Sequence, residues 1–144
     1  MVTAPSSILG LDVGDRRVGV AAATLEAGLA RPLTTLQQDE GFPAALEQIV
    51  KSENAEALVV GLPRGLDGQV TAQTQAAETF ANGLRERYAD LTVYLQDEAV
   101  TSKKAEAELQ ARGKPYQRGD IDALAATYIL EDWLAERRQK EAAG

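Results

Sequence analysis

The sequence predicts an α/β fold in which one mixed five-stranded sheet carries helices on both faces. Three apolar, strand-length runs separated by turn residues come first, and helical and strand-like segments then alternate. Strands joined by tight turns pair antiparallel, whereas strand–helix–strand units pair parallel. The order β-β-β-α-β-α-β-α-α therefore indicates a three-stranded antiparallel meander extended by two parallel strands.

The first three predicted elements are the strands of the meander. Residues 8–13 and 18–24 flank a Gly-Asp pair that is typical of a turn, so these two strands form a hairpin. Residues 29–36 are a third strand. Pro32 assigns that strand to the edge of the sheet, because proline cannot donate a ladder hydrogen bond.

The remaining elements alternate between helix and strand. Pro43 suits a first helical turn, and the uninterrupted apolar run over 57–62 is typical of a strand covered on both faces. Functional sites of such sheets tend to lie at the carboxyl ends of the parallel strands. The elements predicted after the meander are a helix beginning at Pro43, a strand over 57–62, a glycine-rich loop over 63–70, a helix over 71–88, a strand over 91–95 and helices over 102–112 and 121–138.

The composition excludes several classes of chemistry. The chain has 144 residues, 44% of them hydrophobic, but no histidine and no cysteine. It therefore cannot form a Ser-His-Asp triad, a disulfide, a thiolate nucleophile or a zinc-finger site. Polar chemistry in this chain depends mainly on carboxylates.

The length and hydropathy predict a single domain over residues 8–138, with a disordered lead-in over 1–7 and a tail over 139–144. No apolar run is long enough to span a bilayer, and the first seven residues lack the features of a secretory signal. We therefore expect a cytoplasmic protein without a membrane partner.

Charge is unevenly distributed along the chain. The net charge of −7 argues by itself against nucleic-acid binding. Residues 99–118, however, carry a local charge of +3, which indicates either a solvated helix face or a nucleic-acid contact. The cations of this segment are Lys103, Lys104, Arg112, Lys114 and Arg118. Other candidates for phosphate contacts are Arg16, Arg17 and Arg64, and Tyr116 is a candidate for stacking on a base, although a packing role is the alternative.

Asp12 is an acid inside an apolar strand. A carboxylate in that position is costly to bury unless it is paired or binds a metal. A turn-forming role is the alternative, but Asp15 serves the turn better. We therefore interpret Asp12 as a functional residue.

Asp97 and Glu98 follow the strand predicted over 91–95. Successive side chains of an extended chain point to opposite sides, so we expect only one of the two to enter a site. Either acid could instead be a solvated strand end or could lie near the positive N-terminus of the next helix. The residues by themselves leave this choice open.

Asp120 and Asp122 lie at the start of the last predicted helix. Asp120 fits the N-cap, where its side chain accepts a hydrogen bond from a free backbone N–H. Asp122 then shares the apolar face of Ala125, Ala126 and Ile129 and points towards the strand ends. The alternative is that Asp122 is itself the cap.

Four segments together resemble the motifs of the YqgF/RuvX family, RNase H-fold, Holliday-junction-resolvase-like proteins also described as pre-16S rRNA nucleases. The resemblance covers nearly the whole chain, in the family's order and at fitting spacing. The segments are Gly10-Leu11-Asp12-Val13-Gly14-Asp15 with Val18-Gly19-Val20-Ala21, Val59-Val60-Gly61-Leu62-Pro63-Arg64 with Gly68, Asp97-Glu98-Ala99-Val100-Thr101-Ser102, and Ile121-Asp122-Ala123-Leu124-Ala125-Ala126.

The resemblance implies an RNase H-like fold and a nuclease that depends on two Mg²⁺ or Mn²⁺ ions. It implies that Asp12, Glu98 and Asp122 are the catalytic and metal-binding residues, and it selects Glu98 over Asp97. Nucleic acid is the implied partner, no nucleotide cofactor is expected, and a homodimer is left open. Ala99 stands where the family usually has arginine, which puts the grip on the substrate in question.

Three functions follow as hypotheses. The first is a metal-dependent nuclease that processes the 5′ end of pre-16S rRNA or, alternatively, cuts Holliday junctions or single-stranded DNA or RNA in repair. The second is an actin-like or sugar-kinase-like ATPase, whose phosphate motif resembles residues 10–21, but such enzymes need two domains of this kind. The third is a non-catalytic ribosome-assembly factor, which the negative net charge and Ala99 favour.

Overall fold

The computed structural model describes residues 6–98 and 101–143, without the side chains of residues 101–103. Ala99 therefore lies outside the described residues. The strands are β1 (Ser7–Val13), β2 (Arg17–Thr24), β3 (Ala30–Gln37), β4 (Ala55–Pro63) and β5 (Thr92–Glu98). The α-helices are α1 (Phe42–Ser52), α2 (Ala72–Arg87), α3 (Thr101–Arg112) and α4 (Arg118–Ala143), and a 3₁₀ turn spans Leu66–Gly68.

The strands form one mixed sheet in the order β3-β2-β1-β4-β5. β2 pairs antiparallel with both β1 and β3, whereas β4 pairs parallel with both β1 and β5. The predicted mixed sheet is confirmed, and Pro32 lies in an edge strand, where a missing N–H costs no ladder bond. Because β1, β4 and β5 are parallel, their carboxyl ends meet at one end of the sheet.

Helices cover both faces of this sheet because side chains alternate along each strand. On one face, Leu9 of β1 packs in a cluster with Leu46 of α1 and with α2. On the opposite face, Ile8 packs in a cluster with Ile129 of α4. α3 packs against α4. In the described part of the chain, no helix combines the length and the apolar character that a membrane span requires.

α4 approaches the backbone of the sheet closely. A Cβ atom on Gly19 of β2 would lie 2.0 Å from the carbonyl oxygen of Asp122, and one on Gly10 of β1 would lie 2.9 Å from the carbonyl oxygen of Ala126. Glycine at these two positions therefore permits a helix–sheet contact that any side chain would prevent. The contact brings Asp122 down to the surface of the sheet.

α4 begins at Arg118 rather than at residue 121, and it continues to Ala143. Asp120 is therefore not the N-cap, and that prediction is wrong. Asp120 lies in the first turn, and its Oδ2 accepts a 2.9 Å hydrogen bond from the backbone N–H of Gln117. The carboxylate reaches back to a free N–H ahead of the helix, as the acid of a capping box does. Asp122 also lies inside the helix, which excludes its role as the cap.

Candidate active site

Asp12 lies near the carboxyl end of β1, on the face of the sheet that α4 covers. Its partner on β2 is Gly19, and the pairing of Leu11 with Val60 places Gly61 of β4 on its other side. Both flanking positions are glycines, so neither neighbouring strand places a side chain beside the Asp12 carboxylate. The bare backbone around Asp12 leaves room for α4.

Asp122 of α4 approaches Asp12, and we call these two residues the acidic pair. Burial, and after it the negative charge of Asp122, raise the pKa of Asp12 from 3.8 to about 6. Arg17 of β2 places its Nε 2.6 Å from Oδ2 of Asp122, with the two side chains 29% and 18% exposed. One guanidinium therefore balances part of the negative charge of the pair.

Glu98 ends β5, two strands away from β1. The strand predicted over 91–95 extends to Glu98 itself. Adjacent strands lie about 4.8 Å apart, so the backbones of β1 and β5 are separated by about 10 Å. Oε1 of Glu98 is buried and finds no hydrogen-bond partner within the described residues.

Glu98 has acidic neighbours on a later part of α4. Burial, followed by a hydrogen bond with Asp132 and the charges of Asp132 and Glu136, raises the pKa of Glu98 from 4.5 to about 8, while Lys104 acts in the opposite direction. Gln96 of β5 donates a 3.0 Å hydrogen bond from Nε2 to Oε1 of Glu136. Glu98, Asp132 and Glu136 thus form a second acidic group.

Asp132 and Glu136 were not predicted as site residues from the sequence. One signal was available, because the two acids lie four residues apart on a predicted helix and therefore on one face of it. Asp132 also precedes Trp133, which is buried in the cluster between α4 and the sheet.

Asp97 forms an ion pair with a basic residue and belongs to neither group of acids. Nη2 and Nε of Arg64 lie 3.0 and 3.1 Å from Oδ1 of Asp97, and the Asp97 side chain is 67% exposed. The backbone N–H of Arg64 also donates a 3.0 Å hydrogen bond to the carbonyl oxygen of Glu98. The alternation along β5 therefore sends Asp97 and Glu98 into different surroundings, as the sequence led us to expect.

The three acids predicted as catalytic are divided between two groups. Asp12 and Asp122 lie together, whereas the charges that act on Glu98 come from Asp132, Glu136 and Lys104. Among residues 6–98 and 104–143, no three acidic side chains already form a set that could hold a metal ion. The convergence of the full triad stays a prediction.

The donor chemistry of these residues nevertheless suits a hard divalent cation. Carboxylate oxygens are the ligands that Mg²⁺ and Mn²⁺ prefer. Asp12 and Glu98 are carboxyls that burial makes costly to ionise, and Oε1 of Glu98 is a buried oxygen that lacks a partner in the described structure. A cation would remove both costs, because it favours the charged forms of the acids and accepts the free oxygen as a ligand.

The cations predicted to contact nucleic acid occupy several environments. Arg17 and Arg64 are each paired with an aspartate. Nζ of Lys104 lies 4.4 Å from the centre of the Tyr128 ring, and its charge also acts on Glu98. The remaining predicted cations are Arg16, Arg112, Lys114 and Arg118, which are exposed, and Lys103, whose side chain the structure does not describe.

Comparisons with known proteins agree with one another. A family model described as "RuvX: Holliday junction resolvase" matches residues 6–136. A curated relative from Azotobacter vinelandii, named "Putative pre-16S rRNA nuclease", is 40% identical over 140 residues, which cover 94% of this chain and 98% of the relative. A relative of the same name from Crocosphaera subtropica is 39% identical and covers 92% and 94% of the two chains.

Solved structures show the same fold at much lower sequence identity. The RuvC protein of Thermus thermophilus, solved in complex with a Holliday junction substrate, matches with a TM-score of 0.55 and 18% identity, covering 92% of this chain and 96% of that one. The Holliday junction resolvase of fowlpox virus matches with a TM-score of 0.56 and 9% identity, covering 90% and 99%. The RNase H-like fold expected from the resemblance is therefore confirmed.

Proposed function

Because this chain belongs to the RuvX family, we propose that it is a divalent-metal-dependent nuclease that hydrolyses phosphodiester bonds at the 5′ end of pre-16S rRNA. The observation that carries this proposal is the acidic pair, in which Asp12 of β1 and Asp122 of α4 approach each other over bare backbone. Relatives that share about 40% of the sequence over nearly its full length are named for this substrate. A cytoplasmic place of action remains our expectation.

The proposed site uses carboxylates as ligands. Asp12, Asp122 and Glu98 would be the residues that hold the two Mg²⁺ or Mn²⁺ ions. When bound, the ions supply an activated water and stabilise the leaving oxygen. Hydrolysis breaks the bond between phosphorus and the 3′ oxygen, so the products carry 5′-phosphate and 3′-hydroxyl ends. No histidine is needed as a base, which agrees with a chain that has none.

Cationic side chains near these acids serve the substrate. Arg17 lies beside Asp122, and Lys104 lies beside Glu98, so each half of the proposed site has a positive neighbour. In this proposal, the two cations offset the charge of a phosphate that approaches an acidic surface. Arg16 and Arg118, which are exposed, extend the contact to flanking phosphates.

A cleavage assay tests the proposal. The chain and its Asp12→Asn variant are incubated with a 5′-extended 16S precursor RNA, a single-stranded DNA and a four-way junction, each with Mg²⁺ or Mn²⁺. We expect the parent to cleave the precursor and the variant to lose at least about 100-fold in rate, because the amide is a poor ligand for these cations. Asp15→Asn, an exposed turn residue, is the matched control. Equal rates for parent and Asp12→Asn would reject the nuclease proposal.

A non-catalytic assembly factor is the second candidate, and one observation favours it. Glu98 lies with Asp132 and Glu136, and the described residues contain no ready set of three ligands. RNA binding that persists in EDTA, together with no cleavage under either cation, would support this candidate. Preferential cutting of the four-way junction would instead redirect the nuclease proposal to DNA, and it would require two copies of the chain to act together.

A further inference from the structure

A groove of about 500 Å³ lies between the edge strand β3 and the turn that joins α3 to α4. Pro32 to Thr35 of β3 line one side of it, and Tyr116 lines the other. Thr35 pairs with Gly19, which in turn pairs with Asp12, so the groove lies two strands from the acidic pair. Oγ1 of Thr35 donates a 2.5 Å hydrogen bond to the carbonyl oxygen of Gly119 and joins the two walls.

The lining of the groove carries more cations than acids, although the molecule as a whole is acidic. Residues 109–119 contain three cations and no acid, although the whole chain has a net charge of −7. Lys114 lines the groove, is exposed, and forms no ion pair within the described residues. Arg112 also lines it, and its Nη2 lies 3.3 Å from Oε2 of Glu108 in an exposed pair, a type that contributes little energy and is readily exchanged.

Apart from Asp120, the remaining lining is apolar or weakly polar. Leu109 is buried and Tyr116 is partly buried, and both belong to the cluster that joins α3 to α4. This packing holds the tyrosine ring in place at the groove. Asp120 is the acid among the lining residues, and it already accepts the hydrogen bond from Gln117. The volume lies within the range of about 300–1,000 Å³ that is typical of small-molecule sites.

Cations beside a fixed aromatic ring match one class of ligand. An unpaired nucleotide offers a base to stack on the ring and phosphates to contact the cations, and this combination recurs in proteins that bind single strands. A duplex offers only its phosphates, because its bases are stacked inside. A peptide strand is a poor match, because Pro32 interrupts the hydrogen-bonding edge of β3.

We propose that this groove binds a single-stranded segment of nucleic acid, with a base on Tyr116 and flanking phosphates on Arg112 and Lys114. The proposal rests on the proposed nuclease function for its biological meaning. It identifies the substrate as a nucleic acid that has an unpaired segment next to the scissile bond. Binding in the groove can be measured without cleavage, so the two proposals can fail separately.

The test measures binding by fluorescence anisotropy in EDTA, with the full chain carrying Asp12→Asn to prevent cleavage. The probes are fluorescein-labelled single-stranded RNA and DNA of about 12 nucleotides and the corresponding duplex, at salt concentrations between about 50 and 200 mM. The test variant adds Arg112→Gln and Lys114→Gln. The matched control adds Lys51→Gln and Arg87→Gln, which remove the same charge from exposed positions on α1 and α2.

We expect Arg112→Gln with Lys114→Gln to weaken single-strand binding about tenfold and to reduce its salt slope by about 1.4, the value for two lost phosphate contacts. Tyr116→Leu, which keeps an apolar side chain in its cluster, should weaken binding at least about fivefold and leave the salt slope unchanged. Duplex binding should not respond to Tyr116→Leu, and it should respond less than single-strand binding to the loss of the two cations, because a duplex offers phosphates but no free base. Equal affinities for single-stranded RNA and DNA would indicate that the groove recognises only base and phosphate. A higher affinity for one of them would identify that nucleic acid as the natural ligand.

Two outcomes would overturn the proposal. One is equal binding by the test and control pairs, which would show that the groove holds no phosphate. The other is an equal effect on duplex and single strand with no effect of Tyr116→Leu, which would reduce the groove to a general cationic surface. Failure of the parent chain to cleave any substrate would reject the nuclease proposal and leave these binding results standing.

Discussion

Nε of Arg17 lies 2.6 Å from Oδ2 of Asp122, so a cation of the protein itself stands beside the acidic pair. The two residues are 105 positions apart in the sequence and join β2 to α4. Because less than a third of either side chain is exposed, this contact is worth more than a surface ion pair. Arg17 therefore offsets the repulsion between Asp12 and Asp122.

Arg17→Gln should lower the free energy of unfolding by about 1–3 kcal/mol in the absence of divalent cations, because it leaves two neighbouring carboxylates without a counter-charge. Urea unfolding in EDTA measures this change. Arg16→Gln is the control, since Arg16 is exposed, and it should change stability by less than about 0.5 kcal/mol. Equal losses in the two variants would contradict a special role for Arg17.

Asp12→Asn should stabilise the chain at pH 7 while it removes the proposed nuclease activity. Folding raises the pKa of Asp12 from 3.8 to about 6, so the charged form costs stability that grows as the pH rises through this interval. The shift corresponds to about 3 kcal/mol as an upper limit. Thermal unfolding in EDTA should show a gain at pH 7 and none below pH 4. A variant that is less stable than the parent at pH 7 would argue against this burial.

Glu98 should make stability fall with rising pH. Its carboxyl ionises near 4.5 when unfolded and near 8 when folded, so unfolding releases a proton between these values and the folded state loses stability across them. The slope cannot exceed about 1.4 kcal/mol per pH unit, the value for one proton, and solvent screening of the half-buried Glu98 narrows the pH interval over which the slope acts. Urea unfolding in EDTA from pH 5 to pH 9 measures the slope, and Glu98→Gln should flatten it. Asp97→Asn, at an exposed position, should leave the slope as it is.

Gly19→Ala should displace α4 and with it Asp122. The new methyl group would meet the carbonyl oxygen of Asp122 at 2.0 Å, a contact that only a shift of the helix can relieve. We expect a loss of about 2–4 kcal/mol in unfolding free energy and a loss of cleavage. Gly83→Ala on α2 is the matched control, because no atom lies within 4 Å of its added Cβ.

That control should gain about 0.5–1 kcal/mol from the better helix propensity of alanine. Comparing Gly19→Ala with Gly83→Ala separates the effect of adding a methyl group from the effect of the position at which it is added. If both alanine variants behave alike, α4 does not depend on the contact at Gly19.

Local patterns sufficed to predict most of the fold. The turn at Gly14 and Asp15, Pro32 at an edge and the apolar run over 57–62 each reflect a constraint that acts within a few residues, so they predicted the meander, the edge strand and the buried strand. The start of α4 was misplaced, because Asp120 satisfies the N–H of Gln117 from inside the helix instead of capping it from outside. Spacing alone does not distinguish these two uses of an aspartate.

The surroundings of the site were harder to predict. The approach of Asp122 to the sheet followed from the helical period, but the neighbours of Glu98 did not. Asp132 meets Glu98 because of the direction in which α4 crosses β5, and that direction is fixed by packing on glycines of other strands. Such a contact depends on the tertiary structure, for which one sequence offers no local signal.

The close seating of α4 on Gly10 and Gly19 has a consequence during synthesis of the chain. Asp12 belongs to the first strand, whereas Asp122 belongs to the helix that completes one face of the sheet. A nascent chain that does not yet include α4 therefore lacks the acidic pair. A chain still emerging from a ribosome is therefore surrounded by RNA while it lacks part of its proposed cutting site. The acidic pair of the proposed active site would therefore form only after α4 has been synthesised and has packed on the sheet.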